Sequence, residues 1–227
     1  MPSLSQLLTS HHRLLVFDAA STQVQVGLLR SNHAAVWHTT SEEAGRGIFT
    51  GAGAILNEAQ LGLDAIDAFV FCEGPGSMLG TRTVAMALRT WLMLKPRPTY
   101  AYQSLAVAGY FEWSKNGHRD FAVIADARRE TWHHQPVGAD NTMAPLRRVP
   151  AAELPGGELV TPEHFRAWAQ PPRPASICSD DLAKIFPALN DGDFFRAVAA
   201  PDAFQHEAPE YKTSPARIHS LLTADKK

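Results

Sequence analysis

Hydrophobic positions along the chain switch between two periods. Leu14, Leu15, Val16 and Phe17 form an unbroken apolar run closed by Asp18, the pattern of a strand buried on both faces. Val24, Val26 and Leu28 then alternate with polar or small residues, and an extended piece over residues 34–38 completes an expected antiparallel meander. From Ile48 the period lengthens. Ile48, Ala52, Ile55, Leu56 and Ala59 share one helical face, and Gly62 reads as the C-terminal glycine. Residues 66–72 are strand-like again and lead into Gly74-Pro75-Gly76-Ser77. Val84, Ala87, Leu88, Trp91 and Leu94 mark one face of a helix that ends before Pro96, followed by a short strand over 99–102 and a helix over 105–113.

The pattern then restarts. Phe121-Ala122-Val123-Ile124-Ala125-Asp126 repeats the apolar strand closed by an aspartate, and Trp132 begins the next strand at the spacing at which Val24 follows Asp18. The second half is weaker, with breaks at Pro171-Pro172 and Pro174, a short strand around Ile177, a helix over 180–186 and a strand over 194–199. The expectation is an α/β fold of two lobes built on one strand-and-helix plan, although one repeat match leaves duplication open. Residues 1–13 are expected as a loosely held extension, 14–115 as the first lobe, and 116–227 as a smaller, degenerate second lobe whose last helix packs back on the first.

Composition narrows the function. The 227 residues are 45% hydrophobic, enough for a core, and the formal charge of -2 from 21 basic and 23 acidic residues gives no global field for nucleic acid or an anionic membrane. Any RNA contact then needs a partner or a local patch. Cys72 and Cys178 lie in apolar stretches without metal-ligand spacing and read as buried free thiols of a reducing cytoplasm. No run is long enough to span a bilayer, and the first residues lack the pattern of a secretory signal.

The glycine loop matches neither phosphate signature. A P-loop needs a Lys-Ser or Lys-Thr pair that does not follow Gly80, and the third glycine of a dinucleotide fingerprint comes one position late. Gly74 and Gly76 allow a sharp strand-to-helix turn, Pro75 fixes one dihedral and Ser77 caps the helix. Gly156-Gly157 reads as an ordinary turn. The paired histidines His11-His12 and His133-His134, and the singletons His33, His38, His118, His164, His206 and His219, have no shared-ligand spacing, so no metal is expected. No His or Asp partner can be assigned to Ser77 or Cys72, which argues against a peptidase.

The string GPGSMLGTR, preceded by IDAFVFCE and followed by an apolar helix, resembles the GPGSFTGLR pattern of the bacterial TsaB (YeaZ) family. VFDAAST is similar to the family's IDTST opening, TYAYQSLAVAG to the stretch after its loop, and IADARRETWH to its DARRxEVY; PEYKTSPAR is loosely similar to a proline-tyrosine segment. The similarity spans nearly the whole chain, and the glycine loop and DARR are its specific parts.

The resemblance implies a two-lobed, actin-like and Hsp70-like ATPase (ASKHA) fold with duplicated mixed-sheet-and-helix lobes. It implies no catalytic residue and a non-catalytic subunit that supports TsaD in making threonylcarbamoyladenosine on ANN-decoding tRNAs. The implied partners are a TsaD homologue and a TsaE-like ATPase, with tRNA reached indirectly and a homodimer as the alternative assembly. No cofactor is certain, and weak ATP or ADP binding at the complex interface stays open. The motif positions are Asp18, Gly74, Pro75, Gly76, Ser77, Gly80, Arg82, Asp126, Arg128 and Arg129. The implied partner surface uses the helices over 48–61 and 84–94, with Ile55, Met86, Arg89, Trp91 and Met93. DARRE reads either as a solvated charge cluster or as a contact site near the cleft. Departures are Met78-Leu79 for Phe-Thr, Val84 for a glycine, and Ala19-Ala20 for Thr-Ser, which bear on helix spacing and on hydroxyl contacts to a nucleotide. The alternative is a paralogue of the same fold acting as a small-molecule kinase or binding module.

Overall fold

In the computed structural model, which describes residues 1–117 and 119–206, the chain opens on a helix, α1 (Leu4–Ser10). Ser3 and Gln6 close a capping box over its first turn, each side chain accepting the other's backbone N–H. Leu4 and Leu7 are buried in the core beside Leu14 and Phe186. The expected loose extension is therefore corrected: a reciprocal cap and two inward leucines fix this segment to the first lobe.

β1 (Arg13–Asp18), β2 (Val24–Arg30) and β3 (Val36–Thr40) form the meander, followed by α2 (Ala44–Glu58), β4 (Ala68–Gly74), α3 (Met78–Leu94), β5 (Thr99–Gln103) and α4 (Ser104–Asn116). β1 pairs antiparallel with β2 and parallel with β4, and β4 pairs parallel with β5, giving the order β3-β2-β1-β4-β5. A central strand covered on both faces has no polar side, which explains the unbroken apolar run. Leu15 and Phe17 pack under α2 and α3, whereas Leu14 and Val16 face Val107 and Phe111 of α4.

α2 begins at Ala44, four residues before the apolar periodicity, and ends differently from the expected glycine stop. Gln60 takes the left-handed conformation (φ 53°), with Leu61 N–H donating to Leu56 O at 2.9 Å and Gln60 N–H to Asn57 O at 3.1 Å. This is the paired C-terminal motif usually built on glycine, here built on glutamine. Gly62 lies beyond it.

The second sheet repeats the first. β6 (Phe121–Asp126), β7 (Thr131–Val137), β8 (Arg147–Pro150), β9 (Glu158–Pro162) and β10 (Ser176–Cys178) stand in the order β8-β7-β6-β9-β10. β6 is antiparallel to β7 and parallel to β9, as β1 is to β2 and β4. Strand order and direction therefore correspond term by term, and the two-lobed, duplicated α/β fold expected from the sequence is the fold observed. β8 and β9 are additions to the expected elements. The chain then forms α5 (Leu182–Ile185) and a 3-10 turn (Phe186–Leu189), and β11 (Arg196–Ala197) joins β5 at the edge of the first sheet. Leu182, Ile185, Phe186 and Phe195 enter the same core as α1. His118, His219, the expected last helix and the segment 209–217 lie outside the described residues.

Candidate functional site

The glycine loop is a close packing device. Gly74 and Gly76 hold φ values of +115° and +150°, and Ser77 caps α3 by accepting Gly80 N–H at 3.2 Å. Ser77 N–H donates to Ala20 O at 2.7 Å. A Cβ on Gly76 would stand 2.2 Å from Ala20 O, and one on Gly80 would stand 2.0 Å from Ala19 O. Only hydrogen fits between the first turn of α3 and the β1–β2 turn. Ser104 Oγ secures the other side, donating to Pro75 O at 2.6 Å.

That packing closes the first hairpin. Ala19 and Ala20 are buried and bring no hydroxyl. Ala20 N–H donates to Asp18 Oδ1 at 2.7 Å, Thr22 N–H to His164 O at 2.8 Å, and Gln23 N–H to Ser21 Oγ at 3.0 Å. Those three amides, which a phosphate would need, already have acceptors. Asp18 is likewise engaged: its Oδ2 accepts Tyr102 O–H at 2.7 Å. Burial raises its carboxyl above the usual carboxylate value, opposed by its hydrogen bonds to Ala20, Tyr102 and Cys72. Burial also pushes the Cys72 thiol well up, and both cysteines are free.

In the second hairpin Asp126 Oδ1 accepts Arg128 N–H at 2.6 Å, while its Oδ2 accepts Trp168 N–H at 2.6 Å and Ala169 N–H at 3.0 Å. Arg128, Arg129 and Glu130 are left-handed, with φ of 64°, 52° and 57°, and all three side chains are exposed. This turn faces the glycine loop across a cleft of about 550 Å³, lined by Arg82 from α3, by Arg128, Arg129 and Arg148 from the second lobe, and by Phe204 and His206. The sequence motifs thus gather about one cleft: Gly74, Pro75, Gly76, Arg82, Asp126, Arg128 and Arg129 line it, Ser77 and Gly80 line the adjoining hollow, and Asp18 is buried.

Three cleft features were not read from the sequence. Arg148 reaches the turn from β8, donating to Thr131 Oγ1 at 2.8 Å and to Ala127 O at 3.1 Å. His133 Nδ1 lies 2.8 Å from His206 Nε2. Burial, with His206 and Arg148 adding to it, lowers the His133 pKa to about 4, so the ring is neutral at physiological pH. Trp168 stands at the rim of the adjoining hollow. Each lies far in sequence from the glycine loop, with no local pattern that joins them.

The expected partner surface divides. Met86 and Met93 are exposed at 58% and 86%, and Leu79, which the sequence reading passed over, is exposed at 78%. These three residues recur every seven positions along one face of α3. Ile55 is corrected to a core position: it is 1% exposed and packs against the sheet. Trp91 is half-buried on Phe17 and Phe69, with exposed Phe49 of α2 edge-on to it at 5.6 Å. Arg89 is tied to the chain itself, donating to Pro201 O at 2.6 Å and pairing with Asp202 at 3.2 Å. Leu94 was expected on the core face of α3 and is exposed, being the last residue of the helix.

Among the described residues, Glu163, His164 and Asp180 bring ligand-type atoms within 4.8 Å of one another. His164 Nδ1 is 2.7 Å from Asp180 Oδ1, and Asp180 Oδ2 accepts His164 N–H at 3.1 Å. His164 and Asp180 bind each other and read as a partly buried brace, while Glu163 is exposed beside them. Cys72 is fully buried, and Ser77 is exposed but its Oγ serves as a helix cap with no histidine or carboxylate among the described residues hydrogen-bonded to it, so neither is an activated nucleophile.

No protein-family model matches the chain, and no curated protein matches its sequence. Among solved structures, YeaZ from Pseudomonas aeruginosa superposes with a TM-score of 0.61 at 20% identity, over 78% of this chain and 90% of that one. The chain has the YeaZ fold. A second structure, described as an uncharacterized protein with similarity to peptidase YeaZ from Pseudomonas aeruginosa, superposes with a TM-score of 0.62 at 19% identity, over 85% of this chain and 98% of that one. The fold is thus the one implied by the glycine-loop and DARR resemblance, reached at low identity. Within this YeaZ fold, no helix among the described residues is long and apolar enough to cross a membrane.

Proposed function

We propose that the chain is a non-catalytic, TsaB-like subunit that supports a TsaD-type transferase in making threonylcarbamoyladenosine on tRNA. The observation that carries this reading is the exposed ridge of Leu79, Met86 and Met93 on α3, on a YeaZ fold. Large apolar side chains recurring every seventh residue on a solvent face fit a partner helix, and methionine adapts to its shape. Engagement of the first hairpin's amides and burial of Asp18 argue against the kinase alternative, which needs an aspartate facing a bound phosphate. In this reading a TsaE-like ATPase joins the complex in the cytoplasm, and tRNA is reached through TsaD. ATP or ADP binds weakly at the complex interface, and the same ridge supports a homodimer when TsaD is absent.

The test is product formation on tRNA by the host's TsaD, TsaE and adenylate-forming enzyme, with and without this chain, using wild type and Met86→Asp/Met93→Asp. Wild type should be required, and the double variant should lose affinity for TsaD by about tenfold or more while keeping its melting temperature. Full product in the absence of the chain, or a double variant that binds as wild type does, would refute the reading.

A further inference from the structure

The open turn of the second lobe carries chemistry that a subunit interface on α3 does not use. Trp168 is 65% exposed, and two guanidiniums lie over its ring, Arg128 at 5.4 Å from the centroid and Arg166 at 5.8 Å. The backbone beneath it is fixed, because Asp126 accepts the N–H groups of Trp168 and Ala169. An exposed indole on a rigid support among cations combines a stacking face with phosphate ligands.

Arg128 also stands between two hollows. One is the interlobe cleft of about 550 Å³ with Arg82, Arg129 and Arg148; the other, about 510 Å³, holds Trp168 and Arg166. The facing carboxylates are largely engaged. Asp126 holds three backbone amides, Glu73 pairs with Arg196, and Glu42 pairs with Arg46, which leaves Glu43 in the second hollow and Glu130 on the turn itself. Arg82 and Arg129 are exposed, with no hydrogen bond or ion pair to another described residue.

Going beyond the tRNA contact assigned above to the transferase, we propose that this groove itself binds a single-stranded segment of nucleic acid, with a base stacked on Trp168 in exchange for one of its two guanidinium neighbours and successive phosphates along Arg128, Arg129 and Arg82. A strand fits better than a free nucleotide for two reasons. Each hollow is the size of a small-molecule pocket, so the pair has room for consecutive units of a chain. The first-hairpin amides that would help clasp a terminal polyphosphate are engaged. Stacking on Trp168 requires an unpaired base, which excludes a regular duplex. This is the local basic patch that a chain of net charge -2 needs for such contact.

The test measures binding of a labelled single-stranded oligoribonucleotide to the full chain by fluorescence anisotropy across a salt series, with no transferase present. Saturable binding should weaken with salt, with a log–log slope near −0.7 for each phosphate neutralised. Arg129→Ala should lessen that slope by about 0.7. Trp168→Ala should weaken binding by about tenfold or more, and Trp168→Phe should restore most of it. All three side-chain changes are at the surface, and unchanged melting temperatures will verify the fold. Absence of saturable binding at low salt, or affinity that neither alanine variant changes, overturns the proposal. Displacement by ATP or tripolyphosphate as effective as by unlabelled strand also overturns it and assigns the arginines to a small phosphorylated ligand. Since TsaD is absent from the assay, failure here leaves the subunit pairing untouched, and failure of the pairing leaves this result standing.

Discussion

The β1–β2 turn and the β6–β7 turn occupy equivalent places in two sheets that share a five-strand order, yet one is packed backbone against backbone and the other stands open. Both begin with the same device: the aspartate ending the central strand accepts the N–H two residues on, from Ala20 in one lobe and Arg128 in the other. They differ in how the turn meets the chain that follows the next parallel strand. In the first lobe the contact is backbone on backbone, with Gly76 and Gly80 against the carbonyls of Ala20 and Ala19. In the second no helix lies between β9 and β10, and the free oxygen of Asp126 instead reaches the amides of Trp168 and Ala169. Close approach through glycine locks the first turn's backbone and engages its amides, leaving only its outer edge, Ser21 and Thr22, to wall the hollow of Trp168, whereas a side-chain tether holds a loop and leaves the arginine turn exposed. Duplication therefore preserved the frame while one copy became packing and the other a basic surface.

The sharpest way to break that contrast is Gly80→Ala. Its Cβ would lie 2.0 Å from Ala19 O, so backbone must shift, at a cost of about 3 kcal/mol. The melting temperature should fall by about 6–12 °C. Gly53→Ala in α2 is the control, because nothing lies within 4 Å of the added methyl; it should stabilise by about 1 kcal/mol through helix propensity. Thermal denaturation of both variants checks this. Equal, small effects would show that the glycine loop is not a clasp.

This contrast also explains what was legible in the sequence. Central strands are readable because burial on both faces demands a continuous apolar run, as at Leu14 to Phe17 and Phe121 to Ala125. The glycine loop is readable because close backbone approach leaves hydrogen as the only side chain that fits at Gly76 and Gly80. β8 was missed because an exposed edge strand reading Arg-Arg-Val-Pro has neither alternation nor apolar content. α1 was missed although its Ser3-x-x-Gln6 signature is local and could have been recognised. Ile55 and Met86 are both apolar residues on amphipathic helices, and periodicity alone does not say which face meets the sheet and which meets a partner. Arg148, Trp168 and His206 reach the cleft from separate segments, so only tertiary structure joins them.

The lobes should also respond to acid in opposite senses. His133 in the second lobe has a folded pKa of about 4, below its ordinary value of about 6.5. Its contribution is therefore complete above about pH 6.5 and is lost as pH falls toward 4, by up to about 3 kcal/mol. Asp18 in the first lobe is raised, so its contribution is complete below the ordinary carboxylate value and is lost as pH rises through the raised one. Denaturant melts between pH 4 and 7 should show an acid loss that His133→Gln flattens and Asp18→Asn steepens. An unchanged slope in His133→Gln would mean that this imidazole is not held neutral by burial.

The smallest expected effect probes the open turn itself. Arg129 has φ of 52°, a conformation that costs an ordinary residue about 1–2 kcal/mol and glycine nothing. Glycine gives back part of that through the larger entropy of its unfolded chain, so Arg129→Gly should stabilise by about 0.5 kcal/mol, or about 1–2 °C in melting temperature. Arg129→Ala keeps the strain and should gain nothing. If the gain appears in glycine alone, the strain comes from the backbone, and the arginine is carried there at a cost to stability. That is the signature of a residue kept for what its side chain contacts in the cleft. If glycine instead destabilises, the guanidinium is holding the turn together, and the second hairpin is as much a packing device as the first.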